Sequence, residues 1–332
     1  MPGAKREVLL VGSVPLGSAE HVFTACADAL DGRVKRLPDG ETGPRTNWIA
    51  WQRTVLAANP ALHQLPARGP FPVFVLNPDH RGPVAFGPLG YAKAARESYA
   101  TFRRLREAGR IARDLRFQVS LPTPLAVVAQ YIEASAQSAV EGPYLERLLT
   151  EAREIIAAIP AGELALQWDV AVEFAVLEGL RRVHFQRVFE GVIERLLALA
   201  AIVPPAIEMG FHLCYGDSGG QHFKEPADTS LLVKVANAVS AASPRPIQWI
   251  HMPVPKERDD SAYFAPLKGL KLRPETRLFL GLVHPGDGIE GTRRRMAMAQ
   301  RFVAEFGIAT ECGFGRRPPE TVPELLRIHA EA

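Results

Sequence analysis

Short β-rich runs alternate with longer amphipathic stretches along the whole chain, and this alternation constrains the fold more than any other feature. Nine runs have strand character: VLLVG (8–12), RVKRL (33–37), FPVFVL (71–76), RFQVSL (116–121), ELALQWD (163–169), AIEMGFHL (206–213), RPIQWIH (245–251), LFLGLV (278–283) and IATEC (308–312). Between them lie AEHVFTACADAL, YAKAARESYATFRRLREAGRIA, YLERLLTEAREIIAAI, HFQRVFEGVIERLLALAA, TSLLVKVANAVSAA and TRRRMAMAQRFVAEF. Their apolar residues recur every three or four positions, the helical period. Strands and helices alternating without a long linker build parallel α/β structure. Eight of the nine runs would close a single (β/α)8 TIM barrel, with residues 8–12 as an extra segment near its rim. A doubly wound open sheet is the alternative, but it would carry a glycine-rich phosphate loop after its first strand. GSVPLGS fits that pattern poorly. A chain of 332 residues suits one barrel domain over residues 1–332. LPDGETGPR and NPDHRGPVAFGPLG follow strands and read as long βα-loops rather than linkers.

Composition narrows the function classes. Three cysteines, Cys26, Cys214 and Cys312, are too few for a disulfide framework and suit a reducing compartment. A formal charge of +3 with 23% charged residues is no nucleic-acid signature, and aromatics are not interleaved with a basic strip. No apolar run reaches the length of a membrane span, and RLLALAAIVPP is broken by Pro204 and Pro205. The expectation is a soluble, cytoplasmic protein with small-molecule partners, no nucleic acid and no membrane.

Polar residues collect at the carboxyl ends of the candidate strands. Asp39 and Glu41 follow the second, Asp169 ends the fifth, and His212 and Cys214 end AIEMGFHL and the residue beyond it. His251, His284 and Cys312 stand at the ends of the last three. In a parallel barrel these ends form one rim, where active sites sit. Residues i and i+2 of a strand share a face, so His212 and Cys214 project together. With Cys312 and His251 they make four ligands of the kinds zinc takes. The competing reading is a buried cysteine beside a satisfied core histidine, a common arrangement. Glu41 and Asp169 are open to a similar reading as turn and capping residues.

Six short motifs, in order along most of the chain, resemble the catalytic barrel of cobalamin-independent methionine synthase, in the barrel group shared with uroporphyrinogen decarboxylase. They are VGSVPLGS, GETGPRTNWIAW, SLPTPLAVV, LQWD, FHLCY and ECGFG. The resemblance implies that His212, Cys214 and Cys312 bind zinc. The family's remaining ligand is a glutamate, and the matching place here holds His251. Either His251 coordinates, or it stands behind the ligands and Glu311 or water completes the set. The resemblance also implies that Gly12, Ser13, Glu41 and Asp169 grip the carboxylate and amine of an amino-acid thiol. Val170 follows Asp169 where the family has a glutamate, and only one barrel is present where the full enzyme has two.

The function implied is zinc-dependent transfer of a methyl or small alkyl group, from a folate-type, corrinoid-type or other donor, to a thiol such as homocysteine. His284 or Asp169 would supply the acid, since imidazole titrates near neutrality. Trp48 and Trp51 would wall the donor pocket or else, at helical spacing, belong to the core with one facing in. A zinc-dependent lyase of the same barrel group, and a zinc-stabilised binding barrel without catalysis, are the alternatives.

Overall fold

The computed structural model describes residues 5–66, 69–217 and 220–332. The strands are β1 (Arg36–Pro38), β2 (Leu62–Gln64), β3 (Phe74–Leu76), β4 (Arg116–Pro122), β5 (Leu164–Val170), β6 (Glu208–Leu213), β7 (Trp249–Pro253), β8 (Arg277–Val283) and β9 (Gly307–Thr310). Seven form one curled parallel sheet in the order β1-β4-β5-β6-β7-β8-β9. Eleven α-helices accompany them among the described residues, and each of the six amphipathic stretches contributes one. Every residue of β5 and of β7 is buried, as expected of parallel strands covered on both faces. No helix among the described residues is long and apolar enough to cross a membrane.

Two expected strands have other places. FPVFVL does not join the main sheet. Its last three residues pair antiparallel with β2 in a separate hairpin. Burial falls from Phe74 to the exposed Leu76 along this strand, so it lacks the two covered faces that a parallel strand needs. Residues 8–12, expected as an extra piece at the rim, instead belong to a segment, 8–14, that runs between the two edge strands of the sheet. Val8 bridges in parallel to both Val34 and Ile308, and Ser13 bridges to Gly40. The Leu9 N–H donates to Ile308 O at 2.9 Å, and the Val8 N–H donates to Arg33 O at 2.8 Å. The segment lacks a regular ladder because side chains reach its carbonyls. Gln118 Nε2 donates to the oxygens of Leu10 and Val11, and Ser120 Oγ and Gln167 Nε2 donate to Val11 O.

The main core lies between sheet and helices. A smaller cluster, Leu9, Val11, Ala165, Trp249, Phe279 and Ala309, joins the N-terminal segment to four strands. Two glycines make room for its largest members. A Cβ on Gly210 would lie 2.1 Å from the Trp249 ring, and one on Gly307 would lie 2.3 Å from Phe279. Trp249 Nε1 donates to Gln167 Oε1, and Gln167 Nε2 donates in turn to Asp169 Oδ1. The inner packing thus continues into the polar groups at the strand ends.

Candidate metal centre

Asp169, His212 and His251 occupy one level on three neighbouring strands, for Asp169 pairs in register with His212 and His212 with His251. Cys214 follows the end of β6, where its N–H donates to Val170 O. Cys312 lies two residues beyond β9. The ligand atoms of His212, Cys214 and Cys312 all fall within 4.8 Å of one another. The two sulfurs are 3.7 Å apart, and Cys312 Sγ is 3.7 Å from His212 Nε2. Both cysteines are free thiols, and their separation is far beyond a disulfide bond. Zinc bonds of about 2.3 Å to sulfur and 2.0–2.1 Å to nitrogen give tetrahedral edges of about 3.8 Å and 3.6 Å. The donor set therefore fits that ion in both chemistry and spacing.

Protonation follows from the hydrogen bonds. His251 Nε2 lies 3.0 Å from Thr310 O, which only accepts, so this nitrogen carries the proton. Burial pushes the His251 pKa down to about 4, so the ring is neutral near pH 7 and its Nδ1 accepts. His212 Nδ1, 2.7 Å away, must then donate. Burial, reinforced by His251 and Arg316, holds His212 well below its ordinary pKa. It too is neutral, and its Nε2 lone pair is left facing the cysteines. Cys214 shares its proton with Cys312, which raises the Cys214 pKa and lowers that of Cys312. Arg316 Nη2 donates to Cys312 Sγ at 3.0 Å and adds positive charge beside it.

His251 is fully buried and outside the three-residue cluster. Both of its nitrogens are engaged, Nε2 with Thr310 O and Nδ1 with His212 Nδ1. Glu311 is also outside the cluster. Its carboxylate lies 3.4 Å from His222 Nε2 and 3.6 Å from His284 Nδ1. His284, expected as an acid or base, is not among the residues that line the cavity, and its Nε2 donates to Val254 O at 2.8 Å. Burial, with Arg295 nearby, lowers its pKa to about 3.

A cavity of about 600 Å³ opens over the cluster. Its lining includes Gly12, Ser13, Glu41, Trp48, Asp169, His212, Cys214 and Cys312, which brings together most of the residues singled out in the sequence. Trp51 lies outside it, packed edge-on against Tyr91. Burial raises the Glu41 pKa to about 7, against the opposing charge of Arg45. It also raises Asp169, with the Glu41 charge adding to the effect. Trp48 has φ 47° and ψ −115°, a backbone conformation that suits glycine. Its indole N–H meets the hydrogen-bond geometry of no group among the described residues, though it stands close enough to Asp169 to oppose the upward shift slightly. The loop carrying Cys312 packs against Ser13, whose Oγ accepts from Gly315 N. A Cβ on Gly313 would lie 2.3 Å from that oxygen.

Three solved structures cover nearly the full chain. A B12-independent methionine synthase from Shewanella sp. W3-18-1 aligns with TM-score 0.62 at 15% identity, over 98% of this chain and 96% of its own. A putative vitamin-B12 independent methionine synthase from Listeria monocytogenes aligns with TM-score 0.57 at 12% identity, over 99% of both chains. A methyltransferase from Methanosarcina mazei aligns with TM-score 0.53 at 15% identity, over 99% of this chain and 95% of its own. The likeness is one of fold. No protein-family model and no curated protein matches the chain.

Several cavity residues escaped the sequence reading. Arg316, four residues after Cys312, donates to Asp217 Oδ2 at 3.0 Å and reaches Ser13 Oγ at 3.4 Å. Its short spacing from ECGFG was the available signal, but in sequence it looks like one more surface arginine. His222, Arg53, Gln130 and Arg181 come from loops and helix ends with no periodicity to mark them.

Proposed function

We propose that this chain is a zinc-dependent transferase that moves a methyl or similarly small alkyl group to a thiol. The observation that carries the reading is the convergence of His212 Nε2, Cys214 Sγ and Cys312 Sγ at a cavity beyond the strand ends, where parallel α/β proteins bind ligands. We read the chain as one (β/α)8 barrel domain in which residues 8–14 supply the closing strand. His212, Cys214 and Cys312 would hold the ion, which when bound would supply Lewis acidity that favours the thiolate form of a substrate thiol at neutral pH. A soluble protein in a reducing compartment suits two free cysteines 3.7 Å apart.

The remaining groups bind and orient. One structural neighbour is in complex with selenomethionine, and an amino-acid thiol of that kind suits the carboxylates here. Glu41 and Asp169 receive its ammonium group, which lowers their raised pKa values by placing a positive charge between them. The Ser13 region, with Arg316 beside it, faces its carboxylate. Burial and the Glu41 charge favour the protonated form of Asp169, and Oδ1 accepts from Gln167. Oδ2 is therefore the atom that would hand a proton to a leaving group, with the ammonium beside it to balance the carboxylate then formed. His251 positions His212, and His284 takes no direct part. Holding both reacting groups in one cavity contributes chiefly through orientation.

Elemental analysis of the purified protein tests this reading, with Cys214→Ser and Cys312→Ser variants alongside. One zinc per chain, lost in both variants, is expected. X-ray absorption should then show an additional sulfur neighbour when homocysteine is added. A protein that takes up no zinc, or zinc that gains no sulfur from any added thiol, overturns it. Methylated thiol among the products separates transfer from the lyase alternative.

A further inference from the structure

Arg53 and Arg181 both line the cavity, and neither makes an ion pair among the described residues. Arg53 donates only from Nε, to Ala50 O at 2.8 Å. Arg181 donates from Nη2 to Gln130 Oε1 at 3.2 Å. Both line the cavity beside the end of the helix Pro124–Tyr131, where Arg181 holds Gln130 and the Arg53 charge acts on the adjacent Tyr131. Gln130, which lines this cavity, has its Nε2 buried without a hydrogen-bond partner among the described residues. Most guanidinium N–H groups here, together with an amide N–H, are therefore uncommitted. The buried Gln130 amide calls for an acceptor, and the part-exposed guanidinium groups offer an entering anion donors that no carboxylate holds. Glu41 and Asp169 belong to the strand-end group, and Arg316 already neutralises Asp217.

The apolar wall beside these donors narrows the ligand further. Phe71 lies under the Arg181 guanidinium, 5.9 Å from ring centroid to Cζ. Leu180 and Phe223 also line the cavity, yet remain 48% and 40% exposed, among the few large apolar side chains that stay open to solvent. An apolar ligand body would cover them.

We infer that Arg53, Arg181 and Gln130 form an anion clamp for the second substrate, the alkyl donor, which carries a carboxylate or similar oxyanion on an apolar body. This rests on the transferase reading for the word donor, while the clamp itself needs no metal. Two guanidiniums present planar donor forks suited to an oxyanion.

The test uses a matched pair of probes, 4-phenylbutanoate and 4-phenylbutanamide, titrated calorimetrically into the native protein and into the Cys214→Ser variant. The carboxylate should bind roughly tenfold or more tightly than the amide in both proteins, because charge-assisted hydrogen bonds exceed neutral ones. The preference should shrink with added salt. It should vanish in Arg53→Gln/Arg181→Gln and persist in Arg53→Lys/Arg181→Lys, which keeps the charge. Equal binding of the two probes by the native protein overturns the clamp. So does failure of the carboxylate to bind at concentrations on the order of 10 mM, or a preference that survives the double glutamine change. Because the probes carry no thiol and the Cys214→Ser variant is included, failure of the zinc reading leaves this result interpretable.

Discussion

The Nδ1 atoms of His212 and His251 stand 2.7 Å apart on adjacent, in-register strands. This pairing turns a second buried histidine into the group that sets the tautomer of the first. Thr310 O fixes the proton of His251 on Nε2, His251 Nδ1 accepts from His212, and His212 Nε2 is left free beside two sulfurs.

The chain of hydrogen bonds predicts graded effects on metal affinity. Loss of a group that orients a ligand histidine costs roughly 10- to 100-fold in affinity. His251→Ala should fall in that range, and Cys214→Ser or Cys312→Ser should lose far more. Competition titration against a chromophoric chelator measures all three. If His251→Ala loses metal as completely as the cysteine variants, His251 is a ligand after all.

Stability should depend on pH through the cavity carboxylates. Glu41 titrates at about 7 in the folded protein, against about 4.3 in an unfolded chain, and Asp169 is raised as well. The folded state therefore binds more protons between those values. Their contribution is full below about pH 4 and is lost as pH rises through 7. Glu41→Gln removes this penalty, so the variant should gain on the native protein between pH 5 and pH 8, on the order of 2 kcal/mol. Urea denaturation at the two pH values gives the difference. A gap that does not change with pH would show that Glu41 ionises freely.

Trp48 should show an inverted preference between the two smallest side chains. Exchange of alanine for glycine usually destabilises by several tenths of a kcal/mol. At φ 47°, ψ −115° alanine is strained and glycine is not, so Trp48→Gly should be more stable than Trp48→Ala by about 1 kcal/mol. Both variants lose the indole equally, which cancels the packing term. Thermal melts showing alanine ahead would mean the loop relaxes freely.

Gly313 tests whether the loop position of Cys312 matters to the site. A methyl group there would meet Ser13 Oγ at 2.3 Å and its backbone nitrogen at 2.9 Å. Gly313→Ala must displace one of the two segments. Metal affinity should fall by at least tenfold, with about 1–3 kcal/mol of stability lost. Unchanged zinc binding in a stably folded variant would show that the loop absorbs the methyl group elsewhere.

Local periodicity carried much of this protein's architecture in plain view. The helical stretches and most strands were legible because amphipathic spacing is a property of near neighbours. His212 and Cys214 were legible for the same reason, since alternate residues share a strand face, and Cys312 stood at a strand end that the same pattern marks. What lay beyond local pattern was decided by packing between distant segments. Residues 8–12 read as a rim piece because their partners, near residues 34 and 308, are remote in sequence. FPVFVL has strand composition, but only the covering of its faces decides which sheet it joins. His251 was visible as a strand-end histidine, yet its hydrogen bond with His212 depends on strand register and on the Thr310 carbonyl. Arg316, Arg53 and Arg181 reach the cavity on loops and helix ends, where conformation follows from tertiary contacts. Residue type and local pattern set which side chains could supply the chemistry, and packing between distant segments set which of them meet.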